Sequence, residues 1–228
     1  MKWLHNQPNH PAYAFFDVDN TLITIKSMFS FLEYLWSEDP ELFQKSEEYR
    51  SELNRMIETK QPRENINEFY YSIFQGISVN RINELSHQWY LKARKTPNFF
   101  IEPVVDILNR HKDAGHGVIL VSGSALPLLL PLAKELNVDG VISAPLEKIE
   151  GHYTGRLVSE PSIGQGKAKY IKRLLSDLQQ DPSLCYAYGD DVSDIPMLKT
   201  VGQAAMINPT KESTEICDVF GWNLIQAA

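Results

Sequence analysis

The sequence predicts an α/β fold with a mostly parallel sheet and helices on both faces. Two observations support this class. Short apolar segments alternate with amphipathic segments along most of the chain, and that alternation is typical of parallel sheets. The exception is residues 25–96, which lack a clear strand pattern and carry apolar residues at helical spacing. We therefore expect an α/β core with an inserted helical domain.

The predicted strands are apolar runs, most of which end in small or polar residues. In chain order they cover residues 13–19, 117–122, 138–143, 184–189 and 204–208, with a short additional strand expected at 222–225. A helix should precede the second strand, because residues 104–111 carry apolar positions at helical spacing and Gly115 can cap its end. Residues 152–158 have the pattern of a small hairpin arm.

The helical insertion is predicted to form a cap, since it follows the first strand directly and would lie over the carboxyl ends of the sheet. The expected domains are a Rossmann-like α/β core, residues 1–24 and 97–228, and a cap, residues 25–96. Four aromatic residues of the cap could line a pocket, although a place in the core of the cap is expected for most of them: Phe29, Phe69, Tyr70 and Trp89.

Composition narrows the function classes. The 228 residues are 43% hydrophobic and 22% charged, which is ordinary for a globular protein. The net charge is −7 and no basic stripe is present, so nucleic acid and anionic membranes are not expected partners. Cys185 and Cys217 are too few for a zinc site or a disulfide framework. The amino terminus lacks a signal-like apolar stretch, and a cytoplasmic location is expected.

The first predicted strand ends in two carboxylates, Asp17 and Asp19, with Thr21 close behind. Alternate side chains of a strand share a face, so both carboxylates are expected to point the same way. Two anions held that close repel each other unless a cation neutralises them. Hard oxygen ligands suit Mg²⁺ together with a substrate phosphate. The pattern indicates phosphoryl transfer, although Asp and Asn are also common in ordinary turns.

Two further segments offer groups that bind phosphate. Ser122-Gly123-Ser124 joins a predicted strand to a helix, where hydroxyls and free N–H groups can bind an anion; the segment also fits a plain turn. Gly164-Gln165-Gly166-Lys167 opens a later helix. A lysine in a first turn is disfavoured by the helix dipole and makes sense if its ammonium meets an anion. The alternative is a solvated surface lysine.

A fourth segment runs from Gly189 to Asp194 and is predicted to form a turn between a strand and a helix. It contains three acidic residues, Asp190, Asp191 and Asp194. Asp190 is expected to bind Mg²⁺ directly, and Asp194 to orient a bound water or Lys167. Asp191 either contacts the residues that bind the metal, without binding it directly, or only stabilises the turn. One acid would fit a simple helix cap, whereas three fit it poorly. All four segments should meet at the carboxyl end of the sheet.

Together the four segments resemble the motifs of the haloacid dehalogenase superfamily, and the resemblance covers nearly the whole chain. Residues 17–21 are similar to the first motif, Ser122 to the second, Lys167 to the third, and residues 189–194 to the fourth. The helical insertion between the first two motifs is similar to that of the phosphoserine phosphatase-like branch. The resemblance implies a phosphatase that forms an aspartyl-phosphate intermediate.

The resemblance also implies individual roles. Asp17 would be the nucleophile, and Asp19 would protonate the leaving group and then activate water. Mg²⁺ would be held by the Asp17 carboxylate, the Asp19 backbone carbonyl and Asp190. A halide-displacing enzyme needs no second acid, so Asp19 argues against dehalogenation. The phosphoryl oxygens would be bound by Lys167 and the second motif: Ser122, the Gly123 N–H and Ser124.

One position departs from the family pattern. Phosphoserine phosphatases carry a glutamate seven residues after the second aspartate of the first motif, facing the substrate ammonium, and this chain has Lys26. An ammonium there would repel phosphoserine, so that substrate is disfavoured; Lys26 could also simply face solvent.

The expected substrate is the phosphate ester of a small, polar metabolite such as a sugar, polyol or amino alcohol, and esters that bear hydroxyls or a carboxylate should be better substrates than phosphoserine. Transfer of the phosphoryl group to an acceptor other than water and non-hydrolytic binding of a phosphorylated ligand stay open as alternatives. The sequence does not determine the oligomeric state.

Overall fold

The computed structural model describes residues 1–4 and 9–227, and within them nine strands form two sheets. Seven strands build the main sheet and two form a small hairpin. In chain order the strands are β1 (Lys2–Trp3), β2 (Tyr13–Phe16), β3 (Gly117–Ala125), β4 (Gly140–Ala144), β5 (Leu146–Ile149), β6 (His152–Leu157), β7 (Tyr186–Gly189), β8 (Gln203–Ile207) and β9 (Asn223–Ile225).

Ten α-helices accompany the strands in the same described ranges. They are α1 (Ser27–Glu38), α2 (Pro40–Gln44), α3 (Ser46–Glu58), α4 (Arg63–Ser72), α5 (Val79–Ala93), α6 (Glu102–Asp113), α7 (Leu126–Glu135), α8 (Gln165–Asp177), α9 (Ile195–Leu198) and α10 (Lys211–Phe220). None of the described helices combines the length and apolar character that a membrane span requires. The cytoplasmic location stays a prediction.

The main sheet has the order β1-β4-β3-β2-β7-β8-β9 and is parallel except for β1, which runs antiparallel to β4. Strand β2 lies at the centre, where Phe15 pairs with Ile119 of β3 and Ala187 of β7. All four residues of β2 are buried, as expected of a parallel strand that is covered on both faces. The carboxyl ends of β2, β3 and β7 are therefore neighbours.

Alternate residues of β2 contribute to cores on opposite faces of the sheet. Phe16 belongs to the core that includes Leu108 of α6, and Phe15 belongs to the core that includes Ile171 of α8. Helices thus pack on both faces, and the predicted α/β class with a mostly parallel sheet is confirmed. The two-residue strand β1 was not predicted, because it is too short to show a pattern.

The fully described segment between β2 and α6 forms the five helices α1–α5, as the sequence predicted. Its core is aromatic: the ring of Phe31 in α1 contacts Phe74, at a centroid distance of 6.1 Å, and Trp89 of α5, at 5.9 Å. Such edge-on pairs add to the stabilisation that comes from burial. The boundaries 1–24, 25–96 and 97–228 for core and cap stay a prediction.

Strand β2 ends at Phe16, earlier than predicted, because the backbone turns after it. The carbonyl of Val18 accepts hydrogen bonds from three backbone N–H groups: those of Thr21, Leu22 and Ile23. Asn20 adopts a φ of 60°, which Asn tolerates better than most residues. Asp17 and Asp19 thus follow the strand instead of ending it, and Asp19 forms an isolated bridge with Ile23. Both residues nevertheless line the same cavity.

The predicted hairpin arm forms the second strand of a hairpin, with β5 as the partner of β6. This hairpin packs against α4 of the helical segment. The backbone N–H of Tyr153 donates to the carbonyl of Ile77, and its carbonyl accepts from Gly76, both at 2.9 Å. The hairpin that follows β4 therefore supports the helices that lie over the sheet.

Candidate active site

Asp17 follows β2 directly and is nearly enclosed, with 7% of its surface exposed. Its backbone N–H donates to the carbonyl of Tyr188 at 2.9 Å, which ties it to the end of β7. Its carboxylate oxygens accept from two side chains, Oδ1 from the Lys167 ammonium and Oδ2 from the Thr21 hydroxyl at 3.1 Å. The carboxylate is thus held in one orientation beside a positive charge.

Three carboxylates converge at this point. One oxygen each from Asp17, Asp190 and Asp194 lies within 4.8 Å of the others. Burial and the neighbouring Asp17 charge raise the pKa of Asp190 to about 8. Burial also raises the pKa of Asp194 to about 6, although the Lys167 ammonium opposes that shift. The site therefore concentrates negative charge in a poorly hydrated space.

The donor atoms of this cluster fit a divalent cation, because they are all hard carboxylate oxygens and only one ammonium lies among them. Asp194 uses both of its oxygens elsewhere, Oδ1 for Lys167 at 2.7 Å and Oδ2 for the backbone N–H of Asp191 at 3.3 Å. Asp17 also accepts at both oxygens, whereas Asp190 accepts only at Oδ1, from the Thr21 hydroxyl at 3.1 Å. That Asp17 and Asp190 hold the ion stays a prediction. The Asp19 carbonyl as a third ligand stays a prediction.

Lys167 lies in the first turn of α8 and is 4% exposed, which rules out the surface role. Burial opposes its charge, but the carboxylates of Asp17 and Asp194 outweigh burial and raise its pKa above the ordinary value. The preceding residue must be glycine, because a Cβ on Gly166 would lie 1.8 Å from the carbonyl oxygen of Pro161. This close approach fixes where the helix starts and therefore the backbone position from which the Lys167 side chain extends.

Asp19 has one engaged and one free oxygen. Its Oδ2 accepts from the backbone N–H of Ser27, at the start of α1, at 3.0 Å. Its Oδ1 is buried and has no hydrogen-bond partner among the described residues. Burial, followed by the charge of Asp17, raises the pKa of Asp19 to about 7. A carboxyl group with that pKa exchanges protons readily near neutral pH.

The Ser122-Gly123-Ser124 segment lies within the irregular end of β3, not in a turn after it, because the strand continues to Ala125. The Ser122 hydroxyl accepts from the Ser124 N–H at 3.1 Å. The Ser124 hydroxyl lies 2.6 Å from that of Ser27 and is buried. Of the two hydroxyls, the one of Ser122 is therefore the freer to meet a ligand.

The acidic loop after β7 serves both the site and the turn. Asp191 accepts from the Ser193 N–H at 2.8 Å and caps a short 3₁₀ turn at Val192–Asp194. Its second oxygen accepts from Arg63 of α4 at 2.8 Å. Gly189 permits this loop, because a Cβ there would lie 2.7 Å from the side chain of Asp194.

A cavity of about 300 Å³ opens between the acidic cluster and the helices above it, a volume at the lower end for small-molecule sites. All predicted site residues line it, including Lys26, which is exposed at its edge. Of the four cap aromatics, Phe29 and Tyr70 line the cavity. The other two pack inside the helical segment, where Phe69 stacks on Tyr49 and Trp89 donates to the Ser30 hydroxyl.

Sequence reasoning missed two polar residues of α4 that line the cavity, Arg63 and Asn67. Arg63 bonds to Asp191 and Ser193, and Asn67 donates to the Gly123 carbonyl at 3.0 Å. These contacts join residues far apart in the chain. Nothing in the local sequence of α4 distinguishes the two from ordinary surface residues of a helix.

Residues 14–199 match the family model of the haloacid dehalogenase-like hydrolases. The chain belongs to this family. A phosphoserine phosphatase of Mycobacterium tuberculosis is 29% identical over 223 residues, which cover 93% of this chain and 70% of that protein. A probable phosphatase of the same organism is 26% identical over 223 residues, which cover 96% of this chain and 76% of that protein.

A solved structure of a protein of unknown function from Bordetella pertussis Tohama I superposes with a TM-score of 0.83. The two chains are 24% identical, and the match covers 95% of this chain and 99% of that one. At this identity the similarity shows the fold. The family match and the two phosphatase relatives confirm the predicted membership of the phosphoserine phosphatase-like branch. They also confirm the predicted enzyme class, a phosphatase of the haloacid dehalogenase type.

Proposed function

We propose that this haloacid dehalogenase-like enzyme is a Mg²⁺-dependent phosphatase that hydrolyses small phosphate monoesters through an aspartyl-phosphate. One observation carries the proposal. The buried Asp17 carboxylate is oriented by Lys167 and Thr21 within the acidic cluster, and the free, buried Oδ1 of Asp19 lines the same cavity. A nucleophile and a proton donor thus share one enclosed space.

The reaction divides into two steps. In the first, a carboxylate oxygen of Asp17 attacks phosphorus, and the bond from phosphorus to the ester oxygen breaks. Protonated Asp19 gives its proton to the departing oxygen, which leaves as an alcohol. In the second step, Asp19 accepts a proton from water as the water oxygen attacks phosphorus. Asp17 is released as a carboxylate, together with inorganic phosphate.

The remaining site residues bind and orient the phosphoryl group. The Ser122 hydroxyl and the Gly123 N–H would donate to its oxygens. Ser124 would hold the Ser122 hydroxyl in place through its backbone N–H. Lys167 would offset negative charge on both Asp17 and the phosphate. Asp17, the Asp19 carbonyl and Asp190 would hold Mg²⁺, which would supply charge neutralisation for two anions that must approach each other.

The choice of substrate depends on the surroundings of the leaving group. A relative in Mycobacterium tuberculosis is a phosphoserine phosphatase, but Lys26 lines the cavity of this chain. Its ammonium forms no ion pair with any of the residues that the structure describes. We therefore expect phosphoserine to be a poor substrate. Phosphotransfer to another acceptor uses the same residues and is the principal alternative.

A panel of phosphate esters tests the proposal, assayed with and without Mg²⁺ and with wild type beside Asp17→Asn. We expect Mg²⁺-dependent release of inorganic phosphate from several esters by wild type alone. Addition of alcohols as acceptors separates hydrolysis from transfer, since transfer yields a new ester instead of phosphate. Binding of phosphate esters with no turnover under any condition would instead identify a non-hydrolytic binding protein.

A further inference from the structure

The polar hydrogens that α4 directs at the cavity already have acceptors in the protein, whereas Oδ1 of Asn67 is buried and accepts no hydrogen bond from the described residues. Arg63 donates to Asp191 and Ser193. The Asn67 amide N–H₂ donates to the Gly123 carbonyl, and the Tyr70 hydroxyl donates to the backbone carbonyl of Met28 at 2.7 Å. These donors are therefore committed to the architecture of the site, and a leaving group meets few free donors there.

The helices and the residue before them contribute mostly apolar surface to the cavity, with Lys26, Arg63 and Asn67 as the polar exceptions. Met28, Phe29, Ile57 and Ile66 line the cavity from the helices. Ile57 is 45% exposed at this position. Exposed apolar surface that lines a cavity marks a place where an apolar ligand group is buried. All acidic residues that line the cavity lie on the sheet side.

From this lining we infer that the preferred substrates are phosphate monoesters whose alcohol has an apolar body and carries no ammonium. The inference rests on the proposed phosphatase activity and adds the class of leaving group, which is apolar and differs from the polar metabolite expected from the sequence. The phosphate would lie at the acidic cluster and the carbon chain against Ile57 and Ile66. Lys26 at the rim excludes a cationic group and tolerates a neutral or anionic one.

Ethyl, butyl and hexyl phosphate test this class, because their leaving groups differ only in apolar length. Burial of each methylene should raise kcat/KM by up to about fourfold until the cavity is filled. Ile66→Thr should flatten this increase, since it replaces apolar cavity surface with a hydroxyl. Ile77→Thr is the matched control, because Ile77 is a half-buried residue of the helical segment that does not line the cavity; it should keep the wild-type dependence on length.

The outcomes separate two kinds of failure. If wild type hydrolyses all three esters with the same kcat/KM, or if both variants change the dependence equally, the apolar leaving-group site is wrong and the phosphatase activity still stands. If no ester is hydrolysed, including p-nitrophenyl phosphate in the presence of Mg²⁺, the proposed phosphatase function itself fails.

A separate observation concerns the peptide between Gly123 and Ser124. Its carbonyl accepts two hydrogen bonds from α4, from the hydroxyl of Tyr71 at 2.8 Å and the amide of Asn67 at 3.0 Å. Its N–H donates to the Ser122 hydroxyl oxygen at 3.1 Å. The carbonyl and the N–H belong to one rigid plane, so donors on the carbonyl side also fix the direction of the N–H.

This arrangement fixes the orientation of the Ser122 hydroxyl. Because its oxygen already accepts from the Ser124 N–H, its own proton remains available to donate to a phosphoryl oxygen. Tyr71 is fully buried and Asn67 is 1% exposed. We propose that Tyr71 and Asn67 are positioning residues that orient the peptide between Gly123 and Ser124, and through it the phosphate-binding Ser122 hydroxyl, without touching the substrate through these donor groups.

Tyr71→Phe tests this role because it removes only the hydroxyl. We expect a roughly fivefold weaker affinity for inorganic phosphate by calorimetry with Mg²⁺ present, the effect of one lost hydrogen bond. KM should rise by a similar factor for aryl and alkyl phosphates alike. The matched control is Tyr49→Phe, whose hydroxyl donates to the backbone carbonyls of Phe69 and Tyr70 within the helical segment; its phosphate affinity should stay at the wild-type value.

Asn67→Leu provides a second variant of similar shape that also removes a donor to the Gly123 carbonyl. Unchanged phosphate affinity in both Tyr71→Phe and Asn67→Leu would overturn the positioning role. An equal loss in Tyr49→Phe would do the same, because it would assign the effect to general loosening of the helices. Direct binding of phosphate requires no turnover, so this result does not depend on whether the protein hydrolyses or transfers phosphoryl groups.

Discussion

At the scale of single residues, the carboxylates of the site differ in what they contact, and these contacts support the proposed roles. Asp17 is held by an ammonium and a hydroxyl, whereas Asp19 is held on one oxygen by the Ser27 N–H and is free on the other. An oriented anion suits a nucleophile. A buried carboxyl with a free oxygen and a pKa raised to about 7 suits proton transfer.

Replacement of Asp19 by Asn tests this division of labour. The Asn oxygen can still accept from the Ser27 N–H, so the fold should persist, but the side chain cannot exchange a proton. We expect kcat/KM for alkyl phosphates, which reports the formation of the aspartyl-phosphate and not its hydrolysis, to fall by about 10²–10⁴-fold. The loss should be much smaller for p-nitrophenyl phosphate, whose leaving group departs without protonation. Equal losses for both substrates, measured by steady-state kinetics, would remove Asp19 from the role of general acid.

Lys26→Glu tests the residue that governs charge in the leaving group. Propyl phosphate and phosphoethanolamine are nearly isosteric and differ in a terminal methyl or ammonium. Wild type should prefer propyl phosphate, because the Lys26 ammonium repels a second ammonium. The variant should shift kcat/KM toward phosphoethanolamine and phosphoserine, with little change for an aryl phosphate. If the ranking of substrates stays the same, Lys26 is only a surface residue.

Several site residues could be predicted because their signal is local. Asp17, Lys167 and Asp190 each stand at a junction between a strand or turn and the next element, and parallel topology then brings these junctions together. The contributions of Arg63, Asn67 and Tyr71 could not be predicted, since they depend on how α4 docks on the sheet. That docking is set by long-range packing, which no short sequence pattern records.

At the scale of elements, the strand predictions were accurate in the interior of the sheet and less accurate at its edges and ends. Residues 118–121, for example, are all apolar because both faces of the strand are covered. Strand β2 ends early because Val18 accepts three backbone hydrogen bonds and turns the chain. Strand β1 is short and lies at an edge, where two residues leave no recognisable pattern.

The packing of α6 on the sheet predicts a dependence of stability on pH. His111 of α6 is 7% exposed, and its ring nitrogens lie 2.8 Å from the Tyr188 hydroxyl and from Nδ1 of His116. Burial, then the neighbouring His116, lowers the pKa of His111 from 6.5 to about 4. The unfolded chain therefore binds the proton more readily, so stability should fall as the pH drops from about 6.5 to about 4.

Chemical denaturation of wild type and His111→Gln at pH 7, 5.5 and 4.5 measures this contribution. Other groups titrate in the same range, so the quantity of interest is the difference between the two proteins. We expect wild type to lose more unfolding free energy than the variant as the pH falls. Parallel losses in the two proteins would show that His111 does not contribute to the pH dependence.

At the scale of the whole molecule, the acidic cluster lies at the carboxyl ends of β2 and β7, and helices α1, α3 and α4 line the cavity above it. A cation that binds Asp17 and Asp190 would relieve repulsion between elements that only the folded chain brings together. Metal binding should therefore couple to stability as well as to turnover.

Removal of metal tests this coupling with two readouts. EDTA should abolish turnover, Mg²⁺ should restore it, and Ca²⁺, with its larger and looser coordination, should not. Mg²⁺ should also raise the Tm of wild type in a concentration-dependent manner. Asp190→Asn should show a much smaller increase. Full activity in EDTA, or a Tm that is insensitive to Mg²⁺ in wild type, would contradict a metal site at this cluster.

The most direct test of the central claim is to trap the phosphoryl group on Asp17. Wild type is mixed with p-nitrophenyl phosphate and Mg²⁺, quenched in acid during turnover, and digested for mass spectrometry. We predict one added phosphoryl group on the peptide that contains Asp17, and none in Asp17→Asn, which should also lack turnover. Turnover by Asp17→Asn, or a phosphoryl group found on another residue of wild type, would contradict nucleophilic catalysis by Asp17.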